Sequence, residues 1–569
     1  MSTPVVTGVL SRPRAARGPG PWLLTTGAAL AALVVAVPIL AVVFSLATPA
    51  HAVWAHLWRT QLVELLWNTL ALLVGVGLGT LGLGVTLAWL VVFHEFPGRR
   101  TFEWALVLPL ALPAYVIGFV FLGMFEFASP LQTALRGIVG PGFRLPDLRS
   151  GWGVVVVMTL VLYPYVYALA RAAFLEQSPE AFETARSLGR SRAQAFWSVS
   201  LPLARPALVA GTTLACMEAL ADYGTVATFS FRTLTEAVYR VWHGMFDRQA
   251  ATQLAAMLLG LSALLILLER VSRGRARFTQ GRRPTRAPTP APLTGLRAAA
   301  AAGFCGTVWT LGFGLPVGQL LLWAVVILRR DGLAPGFLRA LGNSLGLAAT
   351  AAGLTLAVAL VLAYAIRIRP ARGITPVVRV ASLGYALPGA VIAVGVLLPL
   401  STLDHALAGA AERMLGLDVG LLLTGTAGAL LYAYLVRFLA VSLHAVEATL
   451  ARIPRSLDEV ARSLGAGAGR TLRTVHVPLI RRGLFAALLL VFVDVMKEMP
   501  ATLLLRPLSL DTLAMAVWQR TAESLWEEAA VPALALVLAG LIPVVLLLRT
   551  SGPDRTGLPA LLPGGDPRP

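Results

Sequence analysis

The chain has 569 residues, 57% of them hydrophobic and only 13% charged, with a mean hydropathy of +0.76. A soluble domain carries about 25% charged residues, so this chain lacks the polar surface to stay in water and belongs in a membrane. Its formal charge of +19 does not point to nucleic acid, because the basic residues gather in short segments between apolar runs, as topology-setting charges do.

A helix needs about 20 apolar residues to cross a bilayer. The first half offers such runs at about 22–47, 65–93, 103–124, 152–174, 203–226 and 250–268. The second offers about 299–327, 343–366, 376–400, 420–442, 479–502 and 529–548. The expected fold is all-α, a polytopic membrane protein of about twelve helices in two six-helix domains, 1–269 and 299–550. The first run is followed by Ala50-His-Ala52, which resembles a signal-peptide cleavage site. Its apolar core exceeds the roughly 7–15 residues of a signal, so it reads as a retained helix.

Arg12, Arg14 and Arg17 precede the first run, which sets the N-terminus on the cytoplasmic side. Alternation then places Arg99-Arg100, the segment 270–298, and Arg367, Arg369 and Arg372 inside, with both termini cytoplasmic. Arg329-Arg330 falls outside and dissents from the rule. The segment 270–298 is rich in Arg and Pro and reads as a poorly structured tether lying against anionic lipid. The tail 551–569 reads as disordered.

The halves repeat each other. Pro179-Glu-Ala-Phe-Glu-Thr-Ala-Arg-Ser-Leu-Gly189 is matched by Ser456-Leu-Asp-Glu-Val-Ala-Arg-Ser-Leu-Gly465, with Ala185 to Gly189 identical to Ala461 to Gly465. The same thirteen-residue interval separates Gly189 from Pro202 and Gly465 from Pro478. Trp67-Asn68-Thr69-Leu70 likewise answers Gly342-Asn343-Ser344-Leu345, and Ala111-Leu112-Pro113 answers Ala386-Leu387-Pro388. Such duplication means two copies of one unit.

In the first repeat segment Pro179 suits a first helical turn and Ser178 an N-cap. Ala181, Ala185 and Leu188 follow at i, i+4 and i+7, and Gly189 can stop the helix in a left-handed conformation. Pro202 and Pro478 then open the next spans. The outcome is a short helix on the cytoplasmic side with Glu183 and Arg186 on its polar face. Such a helix suits a groove in a partner; the alternative is an amphipathic loop helix lying on the lipid surface.

Glu183-x-Ala185-x-x-x-Gly189, followed by Leu201-Pro202, resembles the signature loop of bacterial ABC importer permeases. Glu459-x-Ala461-x-x-x-Gly465 repeats it. Thr184 and Val460 stand where that family usually has alanine, and Val477-Pro478 replaces Leu-Pro. The resemblance covers nearly the whole chain as two fused type I permease domains. It implies a transport subunit that is not itself an enzyme, in the bacterial inner membrane. It further implies that Glu180, Glu183, Ala185, Gly189, Pro202, Glu459, Ala461, Gly465 and Pro478 couple to a separate ABC ATPase dimer, which uses the ATP. A periplasmic binding protein would deliver the substrate, the outer segments 126–150 and 506–528 being places to receive it, or else plain solvated loops. Asp494-Val-Met-Lys-Glu-Met-Pro-Ala-Thr-Leu-Leu-Leu-Arg-Pro507, with Asp222-Tyr-Gly-Thr225, is similar to the fused permeases of ferric-iron importers. Thiamine and polyamine permeases are the alternatives.

The repeat offset of 276 pairs Glu218 with Asp494 and Asp222 with Glu498, two acids per half at i, i+4 on a helix. Glu218 lies about 24 Å along the helix from Pro202. A charge at that depth costs about 2.5–3.5 kcal/mol on insertion scales, so these acids are not expected to face lipid. One reading puts all four on the translocation path, where carboxylate oxygens would act as transient ligands of a hard cation such as ferric iron. The other has them end helices or pair with Lys497 and nearby hydroxyls. Pro113 and Pro388 suggest kinks within spans, and Tyr115 either lines the path or sits at the interface.

No cofactor is expected on the chain itself. Lys497 is the only lysine and sits in no Gly-Lys-Ser/Thr loop, so ATP cannot be held by that route. Cys216, Cys305 and the seven scattered histidines form no zinc or disulfide pattern. A proton-coupled secondary transporter with parallel repeats is the rival from another class, and the matched cytoplasmic loops argue against it.

Overall fold

In the computed structural model the residues described are 20–47, 51–177, 179–273, 290–368 and 374–550. Arg12, Arg14, Arg17, Ser178, Arg369, Arg372, the tail 551–569 and most of the tether lie outside them. Among the described residues eleven helices are long and apolar enough to cross a membrane. A twelfth, Val477–Lys497, packs at the centre of the second half but carries Arg481, Arg482, Asp494 and Lys497. With it, each half contributes six long helices among the described residues.

The fold is all-α with one small exception among the described residues. The end of the segment 270–298 departs from the reading as a poorly structured tether: Ala291–Pro292 forms a two-residue parallel strand against His94–Glu95, and a helix begins at Gly295. The Leu293 amide donates to the Glu95 carbonyl at 2.9 Å.

Between apolar helices lipid removes the usual hydrophobic drive, so close backbone approach has to supply the packing. Helix Leu62–Phe93 meets Gly151–Glu176 through glycines. A methyl on Gly75 would sit 2.9 Å from Val155, and one on Gly84 would sit 2.7 Å from the Val166 Cβ. In the second half Ala348, Ala351, Ala352 and Ala359 play the same part on Phe337–Ile368.

The two halves are interlocked. Helix Gly20–Phe44 lies against second-half helices Phe337–Ile368, Ile374–Ala381 and Gly389–Leu415. The Tyr432 hydroxyl donates to the Val34 carbonyl at 2.5 Å. In return Ala298, Ala301, Cys305 and Val308 bury themselves among Leu87, Val91, Tyr163 and Tyr167 of the first half.

Two expectations about proline are corrected. Pro113 and Pro388 do not kink continuous spans; they break them. Each is extended (ψ 142° at both), as are Leu112 (ψ 132°) and Leu387 (ψ 138°) before them. The proline ring clashes with an α conformation in the preceding residue, which ends one helix and lets another start. Short helices Arg99–Ala105 and Ile374–Ala381 therefore precede each break, and Ala114–Phe125 and Gly389–Leu415 follow. Pro202 and Pro478, conversely, do not open their spans. Those helices start ten residues earlier, at Arg192 and Ala468, and run through the prolines. A π turn directly before each, Phe196–Ser200 and Leu472–His476, makes room for the ring and for the missing N–H.

Candidate functional site

The repeat segments fold as matching helices, Pro179–Ser187 and Arg455–Ser463, here the first and second repeat helices. Gly189 (φ 86°) and Gly465 (φ 76°) end them in the left-handed region. Gly189 and Arg190 donate back to Arg186 and Ala185 at 3.0 and 3.2 Å, and Gly465 and Ala466 to Arg462 and Ala461 at 3.0 and 2.9 Å. That is a Schellman stop, twice, as the glycines led one to expect. Ala185 and Ala461 are buried beneath the helices, while Glu180, Glu183 and Glu459 face out, and Pro202 and Pro478 are exposed. The apolar line does not stay on one face: Leu188 is 78% exposed and Leu464 81%. Both lie beyond the last helical residue, where the chain already turns toward the glycine.

The spanning helices after the repeats end at a common cavity of about 390 Å³ between the halves. Glu218, Asp222, Asp494, Glu498 and Tyr115 all line it, so all five side chains proposed for the path converge. The i, i+4 picture needs correction. Helices Leu201–Ala221 and Val477–Lys497 stop one residue short of Asp222 and Glu498, which adopt near-identical extended conformations (φ −78°, ψ 107°; φ −69°, ψ 110°). Each carboxylate then accepts from the backbone amide three residues on, Thr225 at 2.6 Å and Ala501 at 2.9 Å. Asp222 and Glu498 thus follow the end of one helix and accept from the first turn of the short helix that follows. Gly224 and Pro500 follow them and favour the break.

Glu218 and Asp494 remain on the last turns, facing the cavity. Tyr385 lines the cavity beside them. The second half also contributes two cations that line the cavity, Arg437 and Lys497. Arg437 Nε lies 3.2 Å from Glu498 Oε2. Lys497 Nζ donates to the Leu110 carbonyl at 2.8 Å. Leu110 lies just ahead of the Leu112–Pro113 break, so the lysine satisfies backbone that the proline set free. Irregular backbone is tolerated at membrane depth only where protein or a cavity covers it, and here the Leu112–Pro113 break lines this cavity. The Tyr115 hydroxyl is buried and has no hydrogen-bonding partner. Gly389 permits the Arg437–Glu498 pair, since a methyl there would lie 2.6 Å from Glu498 Oε1. Among the described residues no group of three or more His, Cys, Asp or Glu is placed to hold a metal ion.

Reading the sequence alone missed Arg437, although a lone arginine within the apolar run around Tyr432-Ala-Tyr434 was signal enough. Tyr165 and Tyr385, which also line the cavity, gave no such sign.

Residues 79–278 and again 356–553 match the family described as binding-protein-dependent transport system inner membrane component. The chain belongs to that family. Members are transport permeases, not enzymes, and this one carries the family unit twice. It is 30% identical over 495 residues to the Fe(3+)-transport system permease protein FbpB 2 of Haemophilus influenzae, covering 86% of this chain and 90% of that one. The molybdenum transport system permease protein ModB of Escherichia coli is 28% identical over 233 residues, 38% of this chain and 96% of its own. The sulfate transport system permease protein CysT of Escherichia coli is 30% identical over 257 residues, 43% and 88% respectively. The last two correspond to about one half of this permease.

Proposed function

We propose that this permease forms the translocation path of an ATP-driven importer whose cargo is ferric iron, handed over by a periplasmic binding protein. The observation that carries the cargo is the Fe(3+)-transport relative, which parallels this chain through both halves, whereas the molybdenum and sulfate relatives parallel only one. Four carboxylates at one central cavity agree with it, because hard cations prefer oxygen donors.

A separate ABC ATPase dimer would grip the two repeat helices through Glu180, Glu183 and Glu459 and their exposed leucines. ATP would bind only there, with no cofactor on the permease. Both termini and both repeat helices would then be cytoplasmic, and the opposite loops would meet the binding protein. Nucleotide binding closes the partner dimer, the repeat helices follow, and the cavity changes the side to which it opens. The needed energy is the ATPase's different affinity for the two states.

The test is co-purification with ATPase subunits of the same cell, followed by ATPase assays with binding protein loaded with ferric iron or with thiamine. Stimulation by the iron form alone supports the reading; stimulation by the thiamine form alone reassigns the cargo. Uptake that survives ATP depletion but not a protonophore would point to a secondary transporter.

A further inference from the structure

The two repeat helices are fastened to the membrane bundle in different ways. In the first, Phe182 stacks on Phe93 with ring centroids 5.5 Å apart, inside a cluster with Phe174 and Phe196. Those contacts have no directional bond and allow the helix to roll. The repeat offset maps Phe182 onto Asp458 in the second. Asp458 is held from two sides. Arg367, at the end of Phe337–Ile368, reaches its Oδ2 with Nε and Nη2 at 3.0 and 2.7 Å. On the other side His476 packs against it, with Nε2 2.8 Å from Oδ1 but out of line for a hydrogen bond.

The same guanidinium also donates to the Leu450 carbonyl at 2.5 Å and the Ile453 carbonyl at 3.0 Å. One side chain therefore ties the end of helix Ala427–Leu450, the turn after it and the second repeat helix. His476 is fully buried, with its ring against Tyr364 at 5.4 Å. The Tyr364 hydroxyl in turn donates to the Ala468 carbonyl at 2.8 Å. His476 is the last residue of the π turn that leads directly into Val477–Lys497, the helix carrying Asp494 and Lys497 to the cavity. The eighteen residues from His476 to Asp494 span about 27 Å as a helix.

We infer that Arg367, Asp458 and His476 form a rigid clamp that transmits movement of the second repeat helix to Asp494 and Lys497, while among the described residues no such link holds the first repeat helix. The three are positioning residues; none touches cargo. Arg367 and His476 lie off the repeat helix itself, so their loss leaves the proposed docking surface intact. The inference rests on the ATPase-driven reading above.

The test uses the complete importer in proteoliposomes, with import and ATP hydrolysis measured together. Arg367→Ala is expected to assemble and to keep basal ATPase within twofold, while import per ATP hydrolysed falls at least tenfold. His476→Gln is expected to fall in the same direction by less. Because the clamp acts as one unit, Asp458→Asn combined with Arg367→Ala is expected to import no worse than Arg367→Ala alone. Import per ATP that is unchanged in Arg367→Ala, or that drops additively in the double variant, overturns the clamp. Failure of both Arg367→Ala and His476→Gln to assemble overturns it too, since the residues would then serve folding. Wild-type permease that stimulates no ATPase refutes the importer reading instead, and the clamp falls with it.

Discussion

The two halves bring the same acids to the cavity but not the same bases. Glu218 answers Asp494 and Asp222 answers Glu498, and the latter two even share a backbone conformation and a capping bond. Lys497, however, corresponds to Ala221, and Arg437 to Ala168 when Tyr163 is aligned with Tyr432. What the duplication kept in both copies is the negative charge. What the second half gained is the means to neutralise part of it and to hold the other half's broken backbone. The repeat helices differ in the same sense, with aromatic packing in the first half and a charged clamp in the second.

The largest effect should come from the cation with a buried partner. Arg437→Ala leaves Glu498 buried and unpaired, which costs about 3–5 kcal/mol. Thermal unfolding of the detergent-solubilised variant should show a lowered midpoint and import should be lost, whereas Ala168→Arg in the first half should rescue neither. Lys497→Met comes next. It strips the Leu110 carbonyl of its donor at a cost of about 1–3 kcal/mol, and the same assay should register a smaller drop. If that variant is as stable as the parent, the lysine does not hold the break.

Removing charge that both halves share tests function more than stability. Glu218→Ala with Asp494→Ala should reduce import roughly tenfold or more, about 1.4 kcal/mol or more on the rate, with basal ATPase retained. Either single variant should lose less, since its counterpart remains. Full uptake by the double variant would remove these acids from the path.

The smallest expected effect lies outside the spans. Burial pushes His94 below the usual histidine range, and the nearby Arg192 adds to the shift. Its folded pKa lies under the unfolded one, so the unfolded chain binds the extra proton. Stability is complete above about pH 6.5 and declines as pH falls from there toward the folded pKa. His94→Asn should flatten the dependence of the unfolding midpoint between pH 7 and 5.5, by less than about 1 kcal/mol.

Much of this was legible in the chain because it rests on local or periodic signals. Apolar run length gave the spans, and the 276-residue offset gave the repeat helices, their glycine stops and the paired acids. The features that were not legible depend on distant partners. Whether Pro113 kinks or breaks its helix depends on covering structure, including a lysine 387 residues from the Leu110 carbonyl that it satisfies. The exchange of first helices left no mark, because Gly20–Phe44 is apolar all round and shows no preferred face. Arg367 read only as a topology charge, since nothing local announces an Asp458 ninety-one residues later. Pro202 misled for the opposite reason: it is a strong local breaker that a single π turn accommodates.

The central claim is that both repeat helices seat in a nucleotide-hydrolysing partner. The most direct measurement is site-specific crosslinking in intact cells from single cysteines introduced as Glu183→Cys and Glu459→Cys; the native Cys216 and Cys305 are buried and leave little background. Adducts from both positions to one ATPase subunit, inaccessible to impermeant thiol reagents added outside, are the expected result. Adducts to lipid alone, or labelling from the outer side, would contradict the account.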